Sequence, residues 1–291
     1  MIPILLGLGS AVANATENVI IRNTKEKLDS SIVTLYKFLF AAIFVLPLLA
    51  YNGINITDDK FWIILIVSSF VFVFGTIWYV KAIHLSGIAH TIPFFSFTPM
   101  FALFTGSFFL GESITKEAFI GVFLIISGAY VLNIQKYKEG FFEPFLFILK
   151  EKGSLIMFLL SIMFSFAGIL YKAGINASDP ITMLGMELIV SSVLITSFVL
   201  MSKHDNSAVI KLGKKHYKEF ILFGIVIILG DISLGYSMKY LFAAYALALK
   251  RTTVLFSIIL GYLFFSEKEI SDKIVGSLIM LAGVAVISYF S

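Results

Sequence analysis

The sequence predicts an all-α polytopic membrane protein, with ten transmembrane helices in two inverted five-helix repeats. Three observations predict it. The 291-residue chain is 59% hydrophobic and only 14% charged, with mean hydropathy +0.97 and about half the charge fraction of a soluble protein. Apolar stretches of about 20 residues recur from end to end, the length a helix needs to cross a hydrocarbon core of about 30 Å. Gly75–Val131 and Gly230–Val286 align at a constant offset of 155 residues without a gap, with 11 of 57 pairs identical. A period that long in so apolar a chain marks a duplicated membrane half, not a solenoid repeat.

The spans run Ile2–Ile21, Ile32–Tyr51, Phe61–Ile83, Ile88–Leu110 and Lys116–Asn133, then Gly153–Gly174, Asp179–Met201, Tyr217–Gly235, Tyr240–Phe265 and Ser271–Phe290. Polar breaks at RNTKEKLDSS, NGINITDDK, QKYKEG and SKHDNSAVIKLGKKHYKE separate them clearly, while Ser86–Gly87 and Gly235–Lys239 are thin. Met1–Ile21 has no basic n-region and no small-residue cleavage site after it, so it reads as a first span and not a cleaved signal. Residues 1–134 form the first repeat, 135–152 a linker and 153–291 the second repeat; the linker segment FFEPFLFILK is amphipathic and is expected along the interface. Five spans per half is an odd number, so the halves enter the membrane in opposite directions. Odd-numbered connections carry 15 Lys and Arg and even-numbered ones 4, which places both termini outside a cytoplasmic membrane.

Cysteine is absent, which excludes disulfide and thiol chemistry. The pI of 9.0 comes from loop cations and speaks to orientation, not to nucleic acid. Enzyme signatures are missing: no H-E-x-x-H, P-loop, G-x-S-x-G or metal-spaced His cluster occurs, and Asp231 has no second matched aspartate for an intramembrane protease.

The repeated segments read TPMFALFTGSFFLGESITKEAFIGVFLIISGAYVL and TTVLFSIILGYLFFSEKEISDKIVGSLIMLAGVAVI. Each holds a loop glutamate (Glu112, Glu267), a glycine nine residues on (Gly121, Gly276) and another seven further (Gly128, Gly283). In this doubled pattern the whole chain resembles the drug/metabolite transporter (DMT) superfamily, EamA type. The resemblance implies a secondary transporter with a central cavity and alternating access of inverted halves, and says little about substrate. Physically, the paired glycines lie two turns apart on one helix face, where small residues let backbones approach in lipid. Glu112 and Glu267 sit at span ends near Lys116 and Lys268, as helix-terminus caps or surface pairs.

Charges inside spans cost about 2.5–3.5 kcal/mol each at a helix centre, so they face a cavity or a partner. Lys250 and Arg251 stand about a third of the way into the ninth span. Adjacent helical residues point about 100° apart. Lys250 has the small and polar neighbours Ala243, Ala246, Thr253, Ser257 and Gly261 of a water-filled cavity; Arg251 has apolar ones, as expected of a residue paired with a carboxylate. This Lys-Arg pair is also similar to the ninth helix of triose-phosphate translocators, where such a pair binds substrate phosphate. An ammonium and a guanidinium fork suit a phosphate or carboxylate, and the bland alternative is a salt bridge to Glu187 or Asp231.

In the first span Ser10, Asn14, Glu17 and Thr24 form a polar stripe, with Asn18 at its flank. Glu17 is a proton site, an amine ligand or the partner of Lys37. Lys37 and Glu187 occupy matching places in the two halves, as a tie or a gate, though Lys37 is close enough to its loop to snorkel. Asp231 serves coupling or pairs with Arg251. Trp78, Tyr79, His90, Phe94 and Phe95 are candidates for an aromatic wall. Pro93 and Pro99 should bend the fourth helix; Val254 replaces the second of these, so the ninth is not expected to match.

The expected substrate is a small phosphate- or carboxylate-bearing anion held by Lys250 with Arg251, and by Glu17, Asn14, Tyr79 and His90 elsewhere in the site. Glu187, Lys37 and Asp231 are the coupling or gating candidates. One alternative is export of amino acids or cationic amines through Glu17, Asp231, Tyr79 and His90; another is a flippase for a lipid-linked anion. No cofactor is implied. The partners are the substrate, membrane lipid and a proton or counter-substrate, with a monomer or homodimer as the unit.

Overall fold

The computed structural model describes residues 1–24, 28–113, 115–131, 151–202, 206–265 and 274–290, and all regular structure among them is helical. The first half contains α1 (Ile2–Thr24), α2 (Ser30–Asn52), α3 (Phe61–Ser86), α4 (Ile88–Phe95), α5 (Thr98–Leu110) and α6 (Lys116–Val131). The second contains α7 (Lys152–Asn176), α8 (Pro180–Met201), the short α9 (Asn206–Lys215), α10 (Tyr217–Tyr240), α11 (Ala243–Arg251), α12 (Thr253–Phe265) and α13 (Ile274–Phe290). Six of these, α1, α2, α3, α7, α8 and α10, are long and apolar enough to cross a membrane unaided. The expected fourth and ninth spans are each built from two shorter helices.

The break is a property of both halves. α11 starts 155 residues after α4, and α12 starts and ends 155 residues after α5, the offset of the sequence repeat. The expectation that only the fourth helix departs from regularity is therefore corrected. Proline explains one break, since Pro99 sits in the first turn of α5. The other forms with Val254 at that place. What the breaks share is a threonine whose hydroxyl takes up a carbonyl three residues back. Thr98 Oγ1 donates to Phe95 O at 2.7 Å, and Thr253 Oγ1 to Lys250 O at 2.5 Å. Such local bonds satisfy backbone that the interrupted helix leaves free.

The two halves pack as mates. α3 lies on α7 and α1 on α10, while α5 meets α7 as α12 meets α1; α2 packs on α8 and α6 on α13. Exchanging the halves leaves this set of neighbours unchanged. The α6–α13 crossing uses the repeated glycines. A Cβ on Gly128 would stand 2.6 Å from both Gly276 O and Met280 N, and one on Gly283 would stand 2.6 Å from Gly121 O. The two backbones touch, which only hydrogen side chains permit.

Aspartates start the second helix of each half. Asp29 caps α2 through Ser31 N–H at 2.8 Å, and Asp179 caps α8 through Ile181 and Thr182 N–H at 2.9 and 3.1 Å. Eight residues beyond each cap stand Lys37 and Glu187. The Asp179 carboxylate also accepts from Thr182 Oγ1 at 2.6 Å and from the Asn52 amide of the other half at 3.3 Å. Burial pushes the acidity of Asp179 down, but hydrogen bonds from Thr182, Ile181 and Asn55 outweigh it, holding the carboxyl below the usual aspartate range.

Glu112 takes a different partner from the one its sequence neighbourhood suggested. Its carboxylate pairs with Lys172 at 2.7 Å instead of Lys116, and accepts the Ala243 N–H at 2.9 and 3.1 Å, closing the N-terminus of α11. Lys172, counted among the loop cations, is buried in α7 and also donates to Leu241 O at 2.6 Å. A carboxylate shared by an ammonium and a helix N-terminus is better compensated than one beside an exposed lysine. Glu267, Lys268 and the segment FFEPFLFILK lie outside the described residues.

Two consequences are testable. Gly128→Ala should lower the thermal unfolding midpoint, because overpacking costs about 1–3 kcal/mol. Gly9→Ala, whose methyl would meet only Ser233 Oγ at 3.8 Å, should leave it unchanged or raise it. For Asp179, a folded pKa below the unfolded one (about 3.9) stabilises above that pH, and the gain is lost as pH falls through the folded value. Asp179→Ala should thus lower the midpoint near neutral pH by the equivalent of about 1 kcal/mol. The gap to wild type should narrow below about pH 4; a gap constant with pH would rule out the ionised cap.

Candidate functional site

A cavity of about 100 Å³ lies between the halves. Its wall takes Asn14 and Glu17 from α1, Lys37 from α2, Phe72, Thr76 and Tyr79 from α3, and Phe95 from the end of α4. The second half supplies Phe164 and Tyr171 from α7, Glu187 from α8, Asp231 from α10, and Lys250 and Arg251 from the end of α11. Among the described residues, α6 and α13 contribute nothing to the wall. The glycine-packed helices are scaffold set apart from the site.

Three basic and three acidic side chains share this wall, and their pairing defines its chemistry. Glu17 and Lys37 form a buried ion pair within the first half, with Asn14 Nδ2 at 3.5 Å from the carboxylate. Lys250 pairs with Asp231 at 3.2 Å in the second half. Each pair realises an alternative the sequence left open, Glu17 as the partner of Lys37 and Asp231 as the salt-bridge partner of the Lys250–Arg251 pair. Of those two cations Asp231 meets Lys250 and not Arg251, and Lys37 does not meet Glu187.

Two charges remain. Arg251 is 4% exposed, and among the described residues no carboxylate lies within ion-pair distance of it. Its guanidinium rests 3.8 Å from the centroid of the Phe95 ring, and its buried Nε has no hydrogen-bond partner. Glu187 is likewise buried without a described cation at ion-pair distance; the Ser68 hydroxyl is its hydrogen-bonding neighbour. A cation on an aromatic face gains about 2 kcal/mol when desolvated, less than the several kcal/mol that burying an ion costs. Arg251 is therefore the under-compensated charge, where an apolar setting had suggested a paired one.

Lys250 and Arg251 are the last two residues of α11, and both reach the cavity wall. Beyond them the helix ends, and Thr252 N–H turns back to Leu249 O at 3.1 Å. The repeat mates of Lys250 and Arg251 are Phe95 and Ser96, so one half supplies the cations and the other the ring beneath Arg251.

Tyr79 lines the cavity and donates to Asn18 Oδ1 at 2.6 Å, and Asn18 Nδ2 reaches Ser257 Oγ at 3.3 Å. This chain ties α3, α1 and α12 together behind the wall. Asn14 faces the cavity with its Oδ1 unpartnered. The aromatic wall exists with a different membership: Phe72, Tyr79, Phe95, Phe164 and Tyr171. The Phe95 ring stands 5.1 Å from Tyr79 and 5.3 Å from Phe164. Trp78 instead faces outward, with Lys81 Nζ 4.6 Å from its ring, and Phe94 is buried off the wall. The side chain of His90 lies outside the described residues. Sequence reasoning passed over Thr76, Phe164 and Tyr171, which are unremarkable letters in apolar spans. Phe95 was among the aromatic-wall candidates, but its role as the platform under Arg251 was not legible in the sequence.

Comparison with known proteins follows the same lines. No curated protein matches the sequence. Among solved structures 28 chains match; one crystal structure is 13% identical, with a TM-score of 0.74, covering 99% of this chain and 96% of that one. That likeness shows the fold alone. The model of the EamA-like transporter family matches residues 1–134 and 151–289, one match to each half. With both repeats matched and the cavity walled by both, the chain belongs to the EamA-like transporter family, whose members are multi-pass membrane transporters of small molecules and not enzymes.

Proposed function

We propose that the protein is a secondary transporter that moves a small phosphate- or carboxylate-bearing metabolite across the cytoplasmic membrane by alternating access of two inverted halves. The observation that carries the substrate reading is Arg251, a buried guanidinium facing the cavity with no carboxylate partner among the described residues. Phe95 supports it from one side, with the guanidinium carbon 3.8 Å from the ring centroid, and its N–H groups suit a ligand oxygen pair. Lys250 was expected to lead, but its charge is met by Asp231, so Arg251 takes the principal role and Lys250 positions Asp231. The odd number of spans per half and the neighbour pattern that survives exchange of the halves support inversion. The loop charge bias supports both termini outside.

A second reading rests on Glu187. An unpaired acid on the same wall as an unpaired guanidinium complements a zwitterion, with a carboxylate at Arg251 and an ammonium at Glu187. This places the amine end at Glu187, where the sequence had favoured Glu17. Glu17 is engaged by Lys37.

Ligand-induced thermal stabilisation of the purified protein tests both readings. Arg251→Gln should weaken a bound phosphorylated metabolite or carboxylate by about 1.5–3 kcal/mol, roughly 10- to 150-fold. Unchanged affinity in a folded variant refutes the anion site. Glu187→Gln should weaken an amino acid while sparing an anion without an amine; equal effects on both refute the zwitterion reading. Lys250→Met should destabilise the protein by about 3–5 kcal/mol by stranding Asp231. The double variant with Asp231→Leu should recover most of that loss in the unfolding midpoint, and simple additivity would show that the pair is not coupled.

A further inference from the structure

The transport reading leaves α9 unused. This ten-residue helix joins α8 to α10, two of the membrane-crossing helices, so it lies at a membrane end. One side of it is fixed to the bundle. Val209 is buried, and its carbonyl accepts from Tyr36 Oη on α2 at 2.8 Å. Gly213 lies so close to the same ring that a Cβ there would stand 2.1 Å from Tyr36 Oη. Tyr36 in turn stacks on Phe220 of α10, with ring centroids 4.5 Å apart. α9 is thus held at a set angle and not left to swing.

The other side is basic. Lys211, Lys214 and Lys215 are exposed on α9, at a spacing that gathers them on one side of it, and Lys218 is exposed in the first turn of α10 that follows. Ile210 and Tyr217 are exposed beside them, at 57% and 47%. The acid in this stretch, Glu219, is drawn to His216 at 3.5 Å. Exposed lysines flanked by exposed apolar side chains, on a short helix at a membrane end, form the pattern of an element lying in the headgroup layer.

We infer that α9 and the start of α10 form a docking surface for anionic phospholipid headgroups. The lysines meet the phosphates, and Ile210 and Tyr217 enter the acyl boundary. The latch residue Tyr36 directly precedes Lys37, so headgroup binding loads the helix that carries the Glu17–Lys37 pair of the cavity.

The test uses the full chain in lipid nanodiscs of phosphatidylcholine, with or without phosphatidylglycerol. Wild type should show a higher unfolding midpoint with phosphatidylglycerol, and added salt should diminish the rise. K211Q/K214Q/K215Q/K218Q should match wild type in phosphatidylcholine and lose the rise. The paired variants K211Q/K214Q and K215Q/K218Q should show intermediate rises, which keeps the test decisive if the quadruple variant fails to fold. The proposal is overturned if the variants respond to phosphatidylglycerol as wild type does. It is overturned equally if free glycerol phosphate reproduces the rise for Arg251→Gln in phosphatidylcholine alone and the lysine substitutions abolish it, which would mark these lysines as a site for soluble anions.

Discussion

A charge removed from water must find compensation within a few ångströms, and this requirement organises the interior of the protein. The cavity wall carries three cations and three acids, an arrangement that would be ruinous in hydrocarbon unless each were met. Two pairs meet inside their own halves, Glu17 with Lys37 and Asp231 with Lys250. A third, Glu112 with Lys172, bridges the halves away from the main cavity. Arg251 rests on a ring and Glu187 on a hydroxyl, which are weaker answers to the same demand. The proposed ligand site rests on that residual imbalance.

The scaffold that holds these charges is repeated, and the site is not. Glycine contacts join α6 to α13 backbone to backbone, and equivalent threonines hold the two helix breaks. Positions that mirror one another in fold differ in chemistry: Phe95 answers to Lys250, Ser96 to Arg251 and Lys37 to Glu187. Duplication supplies a framework in which two halves can exchange roles, and divergence supplies a polar cavity with distinct ends. The broken helices matter most here. The last turn of α11, which ends at one of the breaks, carries Lys250 and Arg251 to the wall.

Membrane energetics also explain which features lie outside the cavity. The outer faces of α5, α6 and α13 present large exposed apolar side chains such as Phe108, Phe123 and Leu278, as lipid contact requires. α9 breaks that rule by exposing lysines, and it does so at a membrane end, where headgroups and water begin. Its tie through Tyr36 to α2 connects this surface to the cavity over one residue of helix.

By itself the sequence determined the class of fold, because hydropathy and the 155-residue repeat report directly on the solvent and on duplication. It also marked the small-residue helix faces and the charged residues that reach the wall, since a charge in an apolar span stands out whatever its neighbours. Only the tertiary structure decided who pairs with whom. Glu17 lies 20 residues from Lys37 and Asp231 lies 19 from Lys250, so their meeting depends on how helices pack and not on spacing along one helix. Arg251 shows the limit best. Its apolar sequence neighbours suggested a paired ion, yet the end of α11 turns it onto Phe95 from the other half, a contact across 156 residues that no local pattern encodes.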